Sequence, residues 1–128
     1  MKFIAQTLLV VCMAGLLAAG ALAKRSAPKE VPALMRNGVV YSVPHEKMGS
    51  VAAKDEKSGK EVWSKQVYTV KYEPGLETDV QDCFITELRF EKEVLIVSNE
   101  NNDQYELDPA TQAVKVIKGA AVVDRTKK

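Results

Sequence analysis

The chain has 128 residues, 18 of them basic and 17 acidic, for a formal net charge of +1. That length holds one domain, and a domain of about 100 residues buries roughly two-thirds of the surface its unfolded chain exposes, so a self-sufficient core is feasible. A near-neutral balance lacks the net basic face that nucleic-acid binding requires, which argues against such a partner.

Residues 1–23, MKFIAQTLLVVCMAGLLAAGALA, open the chain. Lys2 gives a short positive start, residues 8–17 an apolar core, and Ala21-Leu22-Ala23 a small-x-small site. This is the form of a secretory signal peptide and predicts cleavage after Ala23. Removing Lys2 with the leader leaves 17 basic and 17 acidic residues, a mature charge of zero. Cys12 makes no lipobox, because Val11 stands where a small residue is needed. The alternative is an uncleaved membrane anchor: about 20 apolar residues can span a bilayer. Lys24 and Arg25 would then hold the domain in the cytoplasm. The Ala-rich end favours export to the periplasm or medium, with no membrane contact after cleavage.

Residues 24–37 read as a linker, because Pro28 and Pro32 block a helix. Asn37-Gly38 is a turn signal that opens the first strand, 39–43, which Pro44 ends. His45 to Met48 read as a loop, and a short strand over 49–54 follows.

Residues 51–72 read as the central hairpin. Asp55, Glu56, Lys57, Ser58, Gly59 and Lys60 cluster polar and turn-forming residues. Gly59 can take positive φ without steric cost, and Asp55 and Ser58 can hold nearby backbone N–H groups. Val62 and Trp63 begin a run of β-formers with Val67, Tyr68, Thr69, Val70 and Tyr72. Tyr68, Val70 and Tyr72 share one face at period two, and Val62 fits it. Trp63 falls on the other face, which predicts either cover on both faces or a bulge near 64–66.

The run DEKSGKEVW, Asp55 to Trp63, resembles the Asp-x-x-Thr/Ser-Gly-x-x-x-Trp signature in repeats of pyrroloquinoline-quinone-type β-propellers. A poorer copy follows at YELDPATQAVKV, where Asp108, Pro109 and Thr111 match, Gln112 replaces the Gly, and no Trp closes the motif. In that family these residues are structural: the turn joins two strands of a blade and the Trp docks on the next blade. A propeller takes about four to eight blades. This chain has length for two at most, so a closed monomeric propeller is excluded and quinone binding does not follow. Residues 38–117 also resemble small exported bacterial proteins of uncharacterised function, which implies a class and no mechanism.

Beyond Tyr72, Pro74-Gly75 suits a type II turn. Phe84, Leu88 and Phe90 alternate with polar residues as in a half-buried strand, with Ile85 the one irregularity. Glu91-Lys92-Glu93 turns the chain without a Gly or Asn; the alternative is one long bent strand through Ser98. Residues 94–97 are a continuous apolar run, as in a strand covered on both faces. Residues 99–103, NENND, form the clearest loop. A strand over 104–108 carries Tyr105 and Leu107 on one face, residues 109–112 turn, and 113–117 form the last clear strand. Residues 119–123 extend it or fray, and a basic tail over 124–128 reads as disordered. The expected fold is all-β: a single antiparallel meander of about seven strands, in an open barrel or sandwich, over 38–123.

Candidate chemistry is sparse. Cys83 is the one Cys after the leader, so no internal disulfide forms; beside Phe84 and Ile85 it reads as a buried apolar residue. His45 is the one His, and neither a Cys–His pair nor a zinc site follows from one of each. Glu73, Glu77, Asp79 and Asp82 form an acidic loop that fits no EF-hand spacing. Phosphate loops, nucleophile elbows and zinc-helix motifs are absent from the sequence. The reading is therefore no enzyme, no cofactor, no metal site and no catalytic residue. A non-enzymatic protein-interaction or envelope structural module leads, with a strand-edge contact as its mode. The alternative is a small-ligand or carbohydrate module using Tyr41, Trp63, Tyr68 and Tyr72 on one sheet face; exposure of two or more would favour it.

Overall fold

The computed structural model describes residues 29–127, all-β with no helix among them. The leader, its cleavage site and the first residues of the linker lie outside the described residues, as does Lys128. Ten strands follow in order: β1 Leu34–Arg36, β2 Val39–Ser42, β3 Ser50–Asp55, β4 Glu61–Gln66, β5 Thr69–Lys71, β6 Ile85–Glu91, β7 Val94–Asn99, β8 Gln104–Leu107, β9 Val114–Lys118 and β10 Val122–Asp124. They form two four-stranded antiparallel meanders, β1-β2-β3-β4 and β6-β7-β8-β9, and a small parallel pair, β10-β5. The expected single meander of about seven strands is thus replaced by three sheets, and no barrel closes.

The first meander starts inside the stretch read as linker. Asn37 and Gly38 both take positive φ, 53° and 76°. Two successive positive values give the hairpin turn that matches strand twist, so β1 folds back on β2 with Leu34 opposite Tyr41. The proline-rich composition hid this strand, because Pro32 stops just short of it.

Between β3 and β4 the turn is held by its own polar groups. The Gly59 amide donates to the Asp55 carbonyl at 2.8 Å, and the Asp55 amide donates to the Lys60 carbonyl at 2.8 Å. The Asp55 carboxylate accepts from the Lys57 amide, and the Ser58 hydroxyl accepts from the Lys60 amide. The β8–β9 turn repeats this pattern. The Gln112 amide donates to the Asp108 carbonyl, the Asp108 amide to the Ala113 carbonyl, and Asp108 and Thr111 accept as Asp55 and Ser58 do. Gly59 sits at φ 73° and Gln112 at φ 61°, so the same left-handed position is filled once by Gly and once by a residue with a Cβ. The two stretches that carry the propeller resemblance fold as one kind of turn, though the described residues build no propeller.

The long strand expected over 62–72 breaks after Gln66. Val67 and Tyr68 both turn inward, and the chain resumes as β5. A close crossing causes the break. The Val67 amide donates to the Gly49 carbonyl at 2.7 Å, and the Gln66 side chain donates to the Met48 and Tyr68 carbonyls. Gly49 has φ 78° and lies so near the Tyr68 carbonyl that a Cβ would come within 2.6 Å of it. A ladder irregularity does occur, in the same strand but ahead of residues 64–66: Ala53 faces Trp63 and Lys54 faces Glu61, so Val62 is the extra residue. The facing is also corrected. Trp63 is half-buried against Tyr41, whereas Val62 is 59% exposed on the outer face.

The second meander follows its expected pattern more closely. The irregularity at Ile85 is a shift in the β6–β7 register between Ile85 and Glu87. Lys92 supplies the tight turn after β6 with φ 57°, doing what Gly or Asn commonly does. Leu95, Ile96 and Val97 of β7 are all buried, as a continuous apolar run implies.

One core lies between the meanders. Its largest fully buried members are Tyr68 with Tyr105, Leu95, Leu107, Val51, Val97 and Cys83. Tyr68 and Tyr105 stack with ring centroids 5.2 Å apart. Each hydroxyl finds an acceptor: Tyr68 donates to the Cys83 carbonyl, and Tyr105 to the Ala120 carbonyl at 2.6 Å. Buried hydroxyls need such partners, since an unsatisfied one costs about 1–3 kcal/mol. At one end Phe90 meets Tyr41 edge-on, and Arg36 lies 3.7 Å over the Phe90 ring while donating to the Lys92 carbonyl. These contacts pin β1 of the first meander to the β6–β7 turn of the second.

The described residues after β9 are tied back to the fold. β10 runs parallel to β5, with Val123 opposite Val70. Arg125, read as the head of a disordered tail, donates from Nε to the Gln81 carbonyl at 2.9 Å and from its backbone N–H to the Lys71 carbonyl.

Candidate functional site

The four aromatic residues that could have formed a binding face serve the interior. Tyr41 and Tyr68 are buried, and Trp63 and Tyr72 are half-buried. Tyr72 donates from its hydroxyl to the Asp82 carboxylate at 2.5 Å. Burial, with the neighbouring Asp82 carboxylate, pushes the Tyr72 hydroxyl up to about 12. Burial likewise holds the hydroxyls of Tyr41, Tyr68 and Tyr105 above the ordinary tyrosine range. The hydroxyls of Tyr68, Tyr72 and Tyr105 each donate to a fixed acceptor within the fold.

Cys83 is wholly buried, and burial raises its thiol above the usual range. Its backbone N–H points at the Met48 sulfur, 3.2 Å away. His45 stands exposed on the loop after β2. A thiolate nucleophile needs an accessible, electropositive place, and Cys83 has neither access nor His45 beside it in the core.

The acidic loop is better built than its composition suggests. Gln81 is buried, and its side chain holds the loop from inside. Its Oε1 accepts from the Glu73 amide at 2.7 Å, while Nε2 donates to the carbonyls of Glu73, Leu76 and Glu77. The Gln81 and Asp82 amides both donate to the Thr78 carbonyl. Gly75 takes φ 86°, as the type II turn requires. Around this fixed frame Leu76 and Val80 stand 57% and 60% exposed. Sequence reasoning missed them because it weighed the loop by its carboxylates. The signal was two aliphatic residues in a stretch of turn formers.

The 99–103 loop closes on itself. The Asn99 side-chain oxygen accepts from the Asn101 and Asp103 amides, and the buried Asp103 carboxylate accepts from the side-chain amides of Asn99 and Asn101. Gly119, at φ 94°, lies so close that any Cβ there would overlap the Asp103 carboxylate. These are the bonds of a structural corner. Among the described residues, acidic, His and Cys side chains form no group able to hold a metal ion.

The outermost strands of the two meanders are β1, β4, β6 and β9. An outer strand invites pairing unless it is short, bulged or charged. β1 has three residues, β6 carries Glu87, Arg89 and Glu91, and β4 begins with a bulge at Val62. β9 is VKVIK, and only Val114 among its residues is even half-buried. Val114 and Val116 pair in regular steps with Leu107 and Tyr105, and Ile117 is the extra residue before Lys118 meets Gln104. Val116, Ile117 and, after the Gly119 corner, Val122 are all exposed, with Ile117 at 50% and Val122 at 47%. Lys115 and Lys118 flank them. Val116 and Ile117 are the longest run of exposed aliphatic residues along the described strands; in sequence, residues 113–117 read as the last clear strand and 119–123 as extending it or fraying.

The chain matches no protein-family model, and no curated protein matches it.

Proposed function

We propose that the mature chain is an exported, non-enzymatic β domain that works by holding another protein at β9, in the periplasm or outside the cell. One observation carries this reading: Val116 and Ile117 are left in water along an outer strand, and Val122, at the start of β10, is exposed as well. Exposed aliphatic residues in a contiguous strip with a polar rim favour a protein contact. The leader, with Lys2, its apolar core and Ala21-Leu22-Ala23, supports export. A mature N-terminus at Lys24 is the expected result of Edman or mass-spectrometric sequencing; an intact Met1 would put the domain on a membrane anchor instead. The carbohydrate alternative has less support, since Tyr41 and Tyr68 are buried and Trp63 and Tyr72 are half-buried.

A photo-reactive residue placed at Ile117 in the exporting cell tests the contact. The expected result is one discrete adduct that disappears when Val116 and Val122 are both changed to Lys, and that is absent with the probe at Lys57 on the β3–β4 turn. Equal labelling from both positions, or none from Ile117, would contradict it.

A further inference from the structure

We infer that the protein held at β9 is a second copy of this chain, and that the part of the copy that seats there is its 73–81 loop. This inference rests on the reading of β9 as a contact surface and names the partner.

The two surfaces are complementary in shape class and in charge. The loop presents Leu76 and Val80 to water, with Glu73 and Glu77 beside them. β9 presents Val116 and Ile117, with Lys115 and Lys118 flanking them in the strand, and Val122 is exposed at the start of β10. An apolar knob rimmed with carboxylates meets an apolar strip rimmed with ammonium groups. Acidic and basic surfaces that match steer encounter and suppress wrong registers. The mature charge balance of 17 to 17 keeps two copies from repelling as a whole.

The loop is also ordered before anything binds. Gln81 alone fixes four backbone groups of the loop from a buried position. Arg125 fixes the loop's base by taking the Gln81 and Asp82 carbonyls. Binding through a rigid loop costs little ordering entropy, which is where preformed anchors gain affinity. Holding two aliphatic side chains outward on such a frame does nothing for the core. A contact that covers them uses the frame.

A strand-to-strand contact between two β9 edges is the weaker geometry. Antiparallel pairing of VKVIK with itself sets Lys118 against Val114 and Lys115 against Ile117, so at four of its five steps a charged side chain opposes an apolar one, and no favourable cross-strand pair is made there. Ile117 is moreover the extra residue of a bulge, which bends an edge away from further pairing. Side chains of β9, and not its backbone, make the surface.

Sedimentation of the full exported chain over a range of concentrations is the test. The expected result is a concentration-dependent dimer or higher species, weakened about tenfold or more by Leu76→Ser with Val80→Ser, and equally by Ile117→Lys. All these side chains point into water, so thermal unfolding of the variants reports whether they remain folded. Reversing the acidic rim (Glu73→Lys with Glu77→Lys) or the basic rim (Lys115→Glu with Lys118→Glu) is expected to cost about fivefold each, with recovery when both are reversed. A chain that stays monomeric at every concentration, yet cross-links to a foreign protein through Ile117, overturns this inference and leaves the β9 reading standing. A monomer with no Ile117 adduct overturns both. Self-association untouched by the loop and β9 variants overturns the inference as well.

Discussion

The middle of β3 in the first meander holds Val51, Ala52 and Ala53, where the matching β8 of the second holds Tyr105 and Leu107. β7 adds Leu95, Ile96 and Val97. Both meanders close with the same Asp-anchored turn, and both bury their inner strands. The first lends a floor of small side chains, and the second lends the bulk that rests on it. Equal topology thus hides unequal roles. Among the described residues, the second meander holds seven of the fifteen buried apolar residues, five of them on β7 and β8, against four in the first meander, which contributes shape and the Arg36–Phe90 clasp. The outer strand of the heavier meander, β9, is then left with side chains that the core has no room for.

The largest effects should come from the corners that hold this arrangement. Gly119→Ala forces a Cβ into the Asp103 carboxylate at a φ of 94° and is expected to cost about 3 kcal/mol or more in urea unfolding. Gly59→Ala places its Cβ in open space at φ 73° and should cost about 1 kcal/mol. Equal losses would mean that the Asp103 corner is not rigid. Next in size, Leu95→Ala is expected to cost about 3 kcal/mol, within the range for buried Leu truncation. Val51→Ala, on the floor of the core, should cost about 2 kcal/mol by the same measure. A larger loss at Val51 would reverse the roles of the two meanders.

Alkaline titration sharpens the comparison further, because the stacked tyrosines join the two halves. Folded-state values raised above the unfolded value near 10 mean that the unfolded chain releases its phenolic protons first. Stability should therefore be full below pH 10 and fall as pH rises toward about 12, the value for Tyr105 and Tyr72. Phenolate absorbance should rise together with loss of tertiary circular dichroism. Free ionisation with the fold intact would show that the hydroxyls of Tyr68 and Tyr105 are not bound as described. Gln81→Ala should act locally. It strips the partner from the Glu73 amide and is expected to cost about 1–2 kcal/mol, with faster hydrogen exchange confined to residues 73–81. Val62→Thr, on the outer face of β4, should change stability by less than about 0.5 kcal/mol.

Period and turn chemistry made much of this legible. The apolar run at 94–97, the facing of Tyr105 and Leu107, and the turns at 55–60 and 109–112 could be read because each rests on near neighbours in the chain. What escaped was set by distant contacts. β1 lay behind a proline and was closed by Asn37-Gly38 against Tyr41. The run from Val62 to Tyr72 broke because Gly49 passes under it, a meeting between segments that local pattern does not encode. β10 became a strand through pairing with β5, and Arg125 found its acceptors on a loop 43 and 44 residues earlier. The candidate surface was missed for a related reason. Val116 and Ile117 look like core residues in sequence, and only the core's completion by β7 and β8 leaves them outside.

Native-state hydrogen exchange on the isolated domain tests the division of labour most directly. The backbone amides of Leu95, Val97, Tyr105 and Leu107 should be the last to exchange and should open only with global unfolding. Those of β2 and β3 should open earlier, at lower cost. If the amides of Val51 and Ala53 outlast those of β7 and β8, the second meander is not where the stability resides, and β9 is not simply the side of the core left over.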